Sequence, residues 1–331
     1  MKSVRAYSTI FILLFFVRGI AAQNLGNRID SFFIPAQSFS PVRFYTGVGA
    51  GAVVYGAGTY ALYNYWYKDS GLGKFHFFND WNEWNNMDKA GHTYTAYNQS
   101  VLMYNAAKWT GLQENKSIYF GMFMGALMQT TIEIMDGFSP KWGFSVSDIG
   151  ANTLGISIFY FQQKYWAEQR ILLKVSSLPV NYPVDKIYDI NHEAYTTLQS
   201  RADALFGSSF FERYLKDYNA QSYWLSLNLK SLMDIESCPS WLNIALGYGS
   251  ENMFGGYANV WSDAEGRRYD ISDRFPRYHQ FFVSPDIDFT RIKVHSHFLK
   301  ALFRGLNLFK LPAPALEINT RGEFIFHLLY M

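Results

Sequence analysis

The sequence predicts an α+β fold: an N-terminal bundle of about four glycine- and aromatic-rich helices, followed by an antiparallel β-rich C-terminal half. Two observations carry this reading. Up to about residue 175 the segments are helix-like, with small residues spaced for close packing. Beyond it the period changes to alternation, and Gly, Pro and Asn/Asp turns separate the runs. The expected organisation is residues 1–22 as a signal peptide, 23–175 as the bundle and 176–331 as the β-rich region.

Residues 1–22 carry a basic start (Lys2, Arg5), an apolar run over 10–17 and small residues at Gly19, Ala21 and Ala22, which is the pattern of a secretory signal. The apolar run is too short for a membrane span. No cysteine follows it, so an acyl anchor at the new N-terminus is not expected. Cys238 stands alone, so no intrachain disulfide forms and stability must come from packing. The expected address is the periplasm or outer membrane of a Gram-negative bacterium. A net charge of +2 without a Lys/Arg-rich run excludes a nucleic-acid partner. Aromatic residues make up 19% of the chain. That excess suits a large core and equally a membrane interface, so envelope lipid is the expected partner, with an envelope protein as a second.

Residues 44–67 contain no charge, and Gly47, Gly49, Gly51, Gly56 and Gly58 crowd their first half. The stretch is long enough to span a bilayer, but its tyrosines and Asn64 suit a buried hairpin partner or a membrane-dipping helix as well. A second helix is expected over 82–109, with Asn79 or Asp80 as its cap. A third covers 116–135 and presents Gly121 and Gly125 as a close-packing face. The fourth runs over 147–174, capped by Ser145 or Ser147. Strands are expected at 221–229, 241–248, 278–288 and 324–330, interrupted by a short helix at 296–308. A soluble sheet with its apolar face packed on the helices is the expected arrangement, although the aromatic alternation also resembles outer-membrane strands. No internal repeat is visible.

Three helical stretches place polar groups in apolar, glycine-rich surroundings, where they cost free energy unless paired or used in chemistry. Asp88 and His92 lie at i and i+4. Glu133 and Asp136 lie near the end of the third helix, and Asp148, Asn152 and Gly155 share a face of the fourth. An aromatic turn from Gly137 to Phe144 seats the third helix against the fourth. Should these faces converge, His92, Asp88, Glu133 and Asp148 are the candidate catalytic groups, with His92 as base and a carboxylate as acid. His92, Glu133, Asp136 and Asp148 are the candidate ligands of a divalent metal. Lys89 or Arg170 serves as counter-ion, and Asn152, Gly155 and Gly137 support the site. The competing reading is a hydrogen-bonded knot that fixes helix register. His76 is expected either in the site or, among its phenylalanines, in the core. No nucleophile elbow, zinc-protease motif or phosphate loop is present.

The motifs FHFFND, EW, MDKAGH, E-x-x-DGFS, WGFS and D-x-x-AN-x-x-G resemble a family of bacterial envelope proteins, the predicted periplasmic lipoproteins of domain of unknown function 2279. LKDYNAQSYWLSLNL, PSWLNIALGYGSENM and LPAPALE resemble its long, Bacteroidota-type version. The order Asp-Lys-x-x-His, Glu, Asp-x-x-x-Asn-x-x-Gly is also faintly similar to VanZ-like membrane proteins. That similarity implies a membrane-embedded or membrane-derived bundle with Asp88, His92, Glu133, Asp148 and Asn152 lining one pocket. Neither family implies an activity. The expectation is therefore a membrane-associated structural or accessory envelope protein. The alternative is an envelope enzyme, metal-assisted or acid/base, acting on a lipid-linked or cell-wall substrate.

Overall fold

Ser40 accepts a hydrogen bond from Arg43 N and, with a proline in the first turn, starts helix α1, Pro41–Leu62. In this computed structural model the described residues are 26, 28–68, 71–178 and 180–331; the expected signal peptide lies outside them. α1 runs on into a π-helical turn, Tyr63–Tyr67, so the uncharged stretch read from sequence is helical. It buries none of its residues, and Val42, Val53 and Val54 are more than 70% exposed. It touches the bundle through Arg43 stacked over the Trp109 ring, Phe44 on Phe120, and a Tyr55–Thr131 hydroxyl pair.

The bundle proper consists of α2 (Met87–Trp109), α3 (Glu114–Gly137) and α4 (Val146–Trp166), each packed against the other two. Glycine makes this closeness possible: a Cβ on Gly125 would collide with Ser100 Oγ, and one on Gly155 with the Thr93 carbonyl. α3 is long and apolar enough to cross a membrane by length and composition, yet Gly121, Gln129 and Glu133 face its neighbours and are buried. α2 lacks the expected side-chain cap. Trp84, Asn85 and Asn86 sit in the left-handed region instead, and Asp80 is engaged elsewhere. α4 is shorter than its apolar pattern suggests. Ala167 turns left-handed at its end, and Gln162 Oε1 accepts from Arg170 N and Ile171 N, steering the chain into strand β1, Ile171–Ser177.

Two short strands, β2 (Ile187–Tyr188) and β3 (Tyr195–Thr196), pair with each other. Helices α5 (Leu198–Phe206) and α6 (Phe210–Lys216) lead to β4 (Gln221–Asn228). The turn α7 (Leu229–Met233) precedes β5, Leu242–Glu251. A small hairpin, β6 (Val260–Ser262) and β7 (Arg268–Asp270), comes before β8 (Tyr278–Ile287). Then follow α8 (His297–Leu306), β9 (Ala313–Asn319) and β10 (Phe324–Tyr330). Among the described residues β1, β4, β5, β8, β9 and β10 form one antiparallel six-stranded sheet in that order. It curls on itself. Tyr330 of β10 bonds Ser222 of β4 and packs on Trp224 and Phe282, while residues 308–310 bridge the outer edge of β1.

The sheet differs from the expected soluble sheet in which face it buries. Along β4, β5, β8 and β9 the buried positions are Ser222, Trp224, Ser226 and Asn228; Asn243, Ala245 and Gly247; Gln280, Phe282, Ser284 and Asp286; and Ala315, Glu317 and Asn319. The exposed positions between them are Leu225, Ile244, Leu246, Phe281, Val283, Leu316 and Ile318. Of the bundle helices, α2 packs on this sheet over β1 and β4. The bundle repeats the inversion: Asn152, Gln162 and Gln163 of α4 are buried, while Leu154, Phe161 and Tyr165 are more than half exposed. In water the arrangement normally runs the other way, with apolar side chains inside.

Candidate functional site

The three bundle helices bring together most of the polar residues singled out from sequence. Asp88, Lys89 and His92 come from one turn of α2, Glu133 from the last turn but one of α3, and Asp148 and Asn152 from the first two turns of α4. Lys89 Nζ is the hub on one side, 2.6 Å from Asp148, 2.9 Å from Asp88 and 2.9 Å from Asp80. His92 is the hub on the other. Its Nδ1 lies 3.1 Å from Asn152 Oδ1 and 3.6 Å from Glu133 Oε1, and its Nε2 lies 3.7 Å from Asp88 Oδ1 and 3.8 Å from Asp148 Oδ1.

The cluster is walled in. Glu133 is 0% exposed, Asp148 and Asn152 are buried, and Lys89 is nearly so. Four carboxylates therefore share one ammonium and one imidazole. Burial and the neighbouring Asp88 push the Asp148 carboxyl up to about 8. Burial likewise pushes Glu133 up to about 7, with His92 opposing and Asp136 adding to the rise. For His92 burial favours the neutral ring, but Asp88, Asp148 and Glu133 together hold its pKa above the ordinary value. Burial also works against ionised Asp80 and Asp88. Hydrogen bonds from Asp148, Ser145 and Ser147 to Asp80, and the charges of His92 and Lys89 beside Asp88, still hold both below the usual carboxylate range.

Several partners were not evident from sequence. Asp80, read there as a helix cap, instead accepts from Ser145 and Ser147, each at 2.6 Å, and pairs with Lys89. Ser145 is the cap of α4, accepting from Asp148 N, and its own N–H donates to Glu133 Oε2 at 3.3 Å. Tyr218 reaches in from the C-terminal half and donates to Asp88 Oδ1 at 2.7 Å. Asn152, rather than Asp88, makes the closest polar contact to the histidine ring. Asp136 accepts from the Tyr67 hydroxyl at 2.7 Å. Arg170 bonds Glu168 and the Ser231 carbonyl, which leaves Lys89 as the counter-ion. His76 is exposed and contacts the Lys74 carbonyl, so it lies neither in the cluster nor in the core. Gly137 ends α3 beneath the Phe75 ring, where a Cβ would collide.

Lys89 and Ser147 also line an open cleft of about 1500 Å³ between α2, α4 and the outer face of β1, β4 and β5. Its walls are otherwise mostly apolar or aromatic, among them Phe77, Phe78, Trp81, Leu154, Ile158 and Leu246. Small-molecule pockets are usually ~300–1,000 Å³, so this one suits a longer ligand.

Such an arrangement defines a class: a bundle–sheet protein with an apolar exterior and a buried histidine–carboxylate–lysine cluster. Within it, residues 76–164, which span α2 to α4 and the aromatic loop before them, match the model of a family described as predicted periplasmic lipoprotein, DUF2279. The match supports an exported, envelope location. No curated protein and no solved structure matches the chain.

Proposed function

We propose that the protein is a membrane-associated envelope protein that meets lipid through its apolar exterior and takes lipid acyl chains into the cleft beside Lys89. The inverted burial carries this reading. Leu225, Leu246, Phe281, Val283, Leu316 and Ile318 form one exposed sheet face, and Phe324 (81%), Phe326 and Leu328 extend it. Phe123, Leu154 and Phe161 are likewise exposed on the bundle. Patches of this extent are costly in water and mark contact with lipid or a partner, and their presence on both halves of the molecule favours lipid. Flotation of the purified chain with phosphatidylethanolamine/phosphatidylglycerol vesicles tests the reading. Co-flotation that survives high salt is expected. A chain that stays at the bottom of the gradient and runs as a single species without detergent overturns it.

A second reading, an enzyme acting on a lipid-linked substrate, draws on the cluster's place at the cleft wall, where Lys89 and Ser147 belong to both. Under it, Asp148→Asn leaves a folded protein that no longer turns over such a substrate.

A further inference from the structure

We infer that Asp88, His92 and Asp148 form a binding site for a divalent transition-metal ion, best matched by zinc. The site stands apart from the lipid reading and does not depend on it. One ligand atom from each of these residues lies within 4.8 Å of the other two, a group the structure sets apart among the described residues. With Zn–N and Zn–O distances of ~2.0–2.2 Å, donors a few ångströms apart can share one ion. One imidazole and two carboxylates form a borderline donor set that suits zinc better than calcium or magnesium.

The second argument is the orientation of the ring. Nδ1 faces the Asn152 amide oxygen at 3.1 Å, an acceptor, so the Nδ1–H tautomer satisfies that contact. Nε2 then points its lone pair at Asp88 Oδ1 and Asp148 Oδ1. A lone pair facing two carboxylate oxygens is repulsive unless a proton or a metal lies between them. An acceptor on the far ring nitrogen is also the usual means of fixing a metal-bound histidine. The third argument is an orphaned group. Glu133 is 0% exposed, yet its Oε1 has no hydrogen-bond partner and points into the cluster toward His92. Buried carboxylate oxygens left this way are rare. They are accounted for when the neighbouring imidazole is drawn positive by an ion. Asp80, Asp88 and Asp148 face a single ammonium and Glu133 faces the imidazole, so a divalent cation also moves the cluster toward neutrality.

Lys89 competes for this charge, since its ammonium lies 2.6 Å from the Asp148 oxygen that the ion needs. Two opposite effects follow. Removing a ligand abolishes metal binding, and removing the competing ammonium strengthens it.

The test uses the full chain purified in mild detergent, stripped with chelator, dialysed and titrated with zinc. Stoichiometric uptake is expected for the native chain. Asp88→Asn and His92→Gln should lose it at least tenfold in affinity. Lys89→Gln should bind more tightly than the native chain. His327→Gln, which alters the histidine–glutamate pair inside the sheet, should bind as the native chain does. Should His92→Gln fail to fold, cobalt titration of the native chain reads the site directly: intense visible bands of four- or five-coordinate Co(II) with nitrogen and oxygen ligands are expected. The assignment is overturned by the absence of zinc uptake above buffer, by equal loss in His327→Gln, or by a cobalt spectrum no different from the aqueous ion.

Discussion

Two of the polar networks buried among the described residues are built on opposite principles. Inside the curled sheet Lys174 pairs with Asp286 at 2.7 Å and donates to the Ile287 carbonyl. Ser226 donates to Asp286, Asn243 to Ser226, and Asn228 to Asn243. Gln280 and His327 both contact Glu317. Lys174 is paired with Asp286 and His327 with Glu317, Lys310 donates to the Leu311 carbonyl, and each of these polar groups has a partner. In the helical cluster the acids outnumber the bases, and Glu133 Oε1 and Asn152 Nδ2 lack hydrogen-bond partners. A satisfied network rigidifies a fold; an unsatisfied one is where a ligand is expected. The difference separates a structural interior from a candidate site.

The sharpest test of that contrast is to break each network by one residue. Lys174→Met removes the ion-pair partner of Asp286 and leaves the carboxylate the Ser226 hydroxyl, a loss of ~3–5 kcal/mol by analogy with other buried pairs. Adding Asp286→Leu should recover much of that loss, because an apolar pair costs less than a stranded charge. Denaturant unfolding in detergent of the native chain and both variants gives the comparison. A single variant as stable as the native chain would mean that the sheet interior admits water freely.

Lys310 probes the same interior through pH. It is fully buried, lies over the Trp224 ring and donates to the Leu311 carbonyl. Burial lowers its pKa to about 8, with Lys174 lowering it further and Asp286 opposing. Below about 8 the lysine is charged in both the folded and unfolded chains, so the cost of burying it is present in full. Between about 8 and its ordinary value of 10.5 the unfolded chain holds more protons than the folded one, and stability rises with pH. Lys310→Met should thus be more stable than the native chain at neutral pH by up to ~3 kcal/mol, an advantage that fades toward pH 10.5. Unfolding midpoints measured across that range decide it. A constant difference would place the lysine's charge in contact with water.

How the two networks arise was unequally legible in the sequence. Asp88 with His92, and Asp148 with Asn152, declared themselves because helical spacing stacks i and i+4 on one face. Their convergence followed from the glycines that let the helices approach: Gly155→Val, which drives a side chain into the Thr93 carbonyl, should cost ~1–3 kcal/mol by overpacking, measurable as a lower unfolding midpoint. Asp80 and Tyr218 were not legible, since Tyr218 meets Asp88 across 130 residues and no local pattern encodes that pairing. β9 was missed because Pro312 and Pro314 interrupt its alternation. β1 was absorbed into α4 because its apolar residues continue the helical run, and the break depends on Gln162 catching two backbone N–H groups. Alternation in β4, β5 and β8 revealed the strands but not which face turns inward, since the period is two either way. Only the exposure of Leu225, Leu246 and Phe281 identifies the polar face as the buried one.

The smallest expected stability change is the most informative about the helical cluster. Asp148→Asn keeps the shape of the side chain and removes one of the three carboxylates around Lys89. In a balanced network, such as that around Asp286, losing an acid strands a cation. Here Asp80 and Asp88 remain at 2.9 Å from the ammonium, so the lysine keeps two anionic partners. The substitution also relieves crowding among Asp80, Asp88 and Asp148. In metal-free buffer the expected change is within ~1 kcal/mol, in either direction. With zinc added, the native chain should gain thermal stability by mass action, and Asp148→Asn should not. A large loss for the variant in chelator would make the cluster a second structural interior like the sheet's, with Asp148 as its keystone. A small loss in chelator, together with the missing response to zinc, would leave the two networks as different as their hydrogen bonding suggests: one built to hold the fold, the other kept incomplete for a ligand.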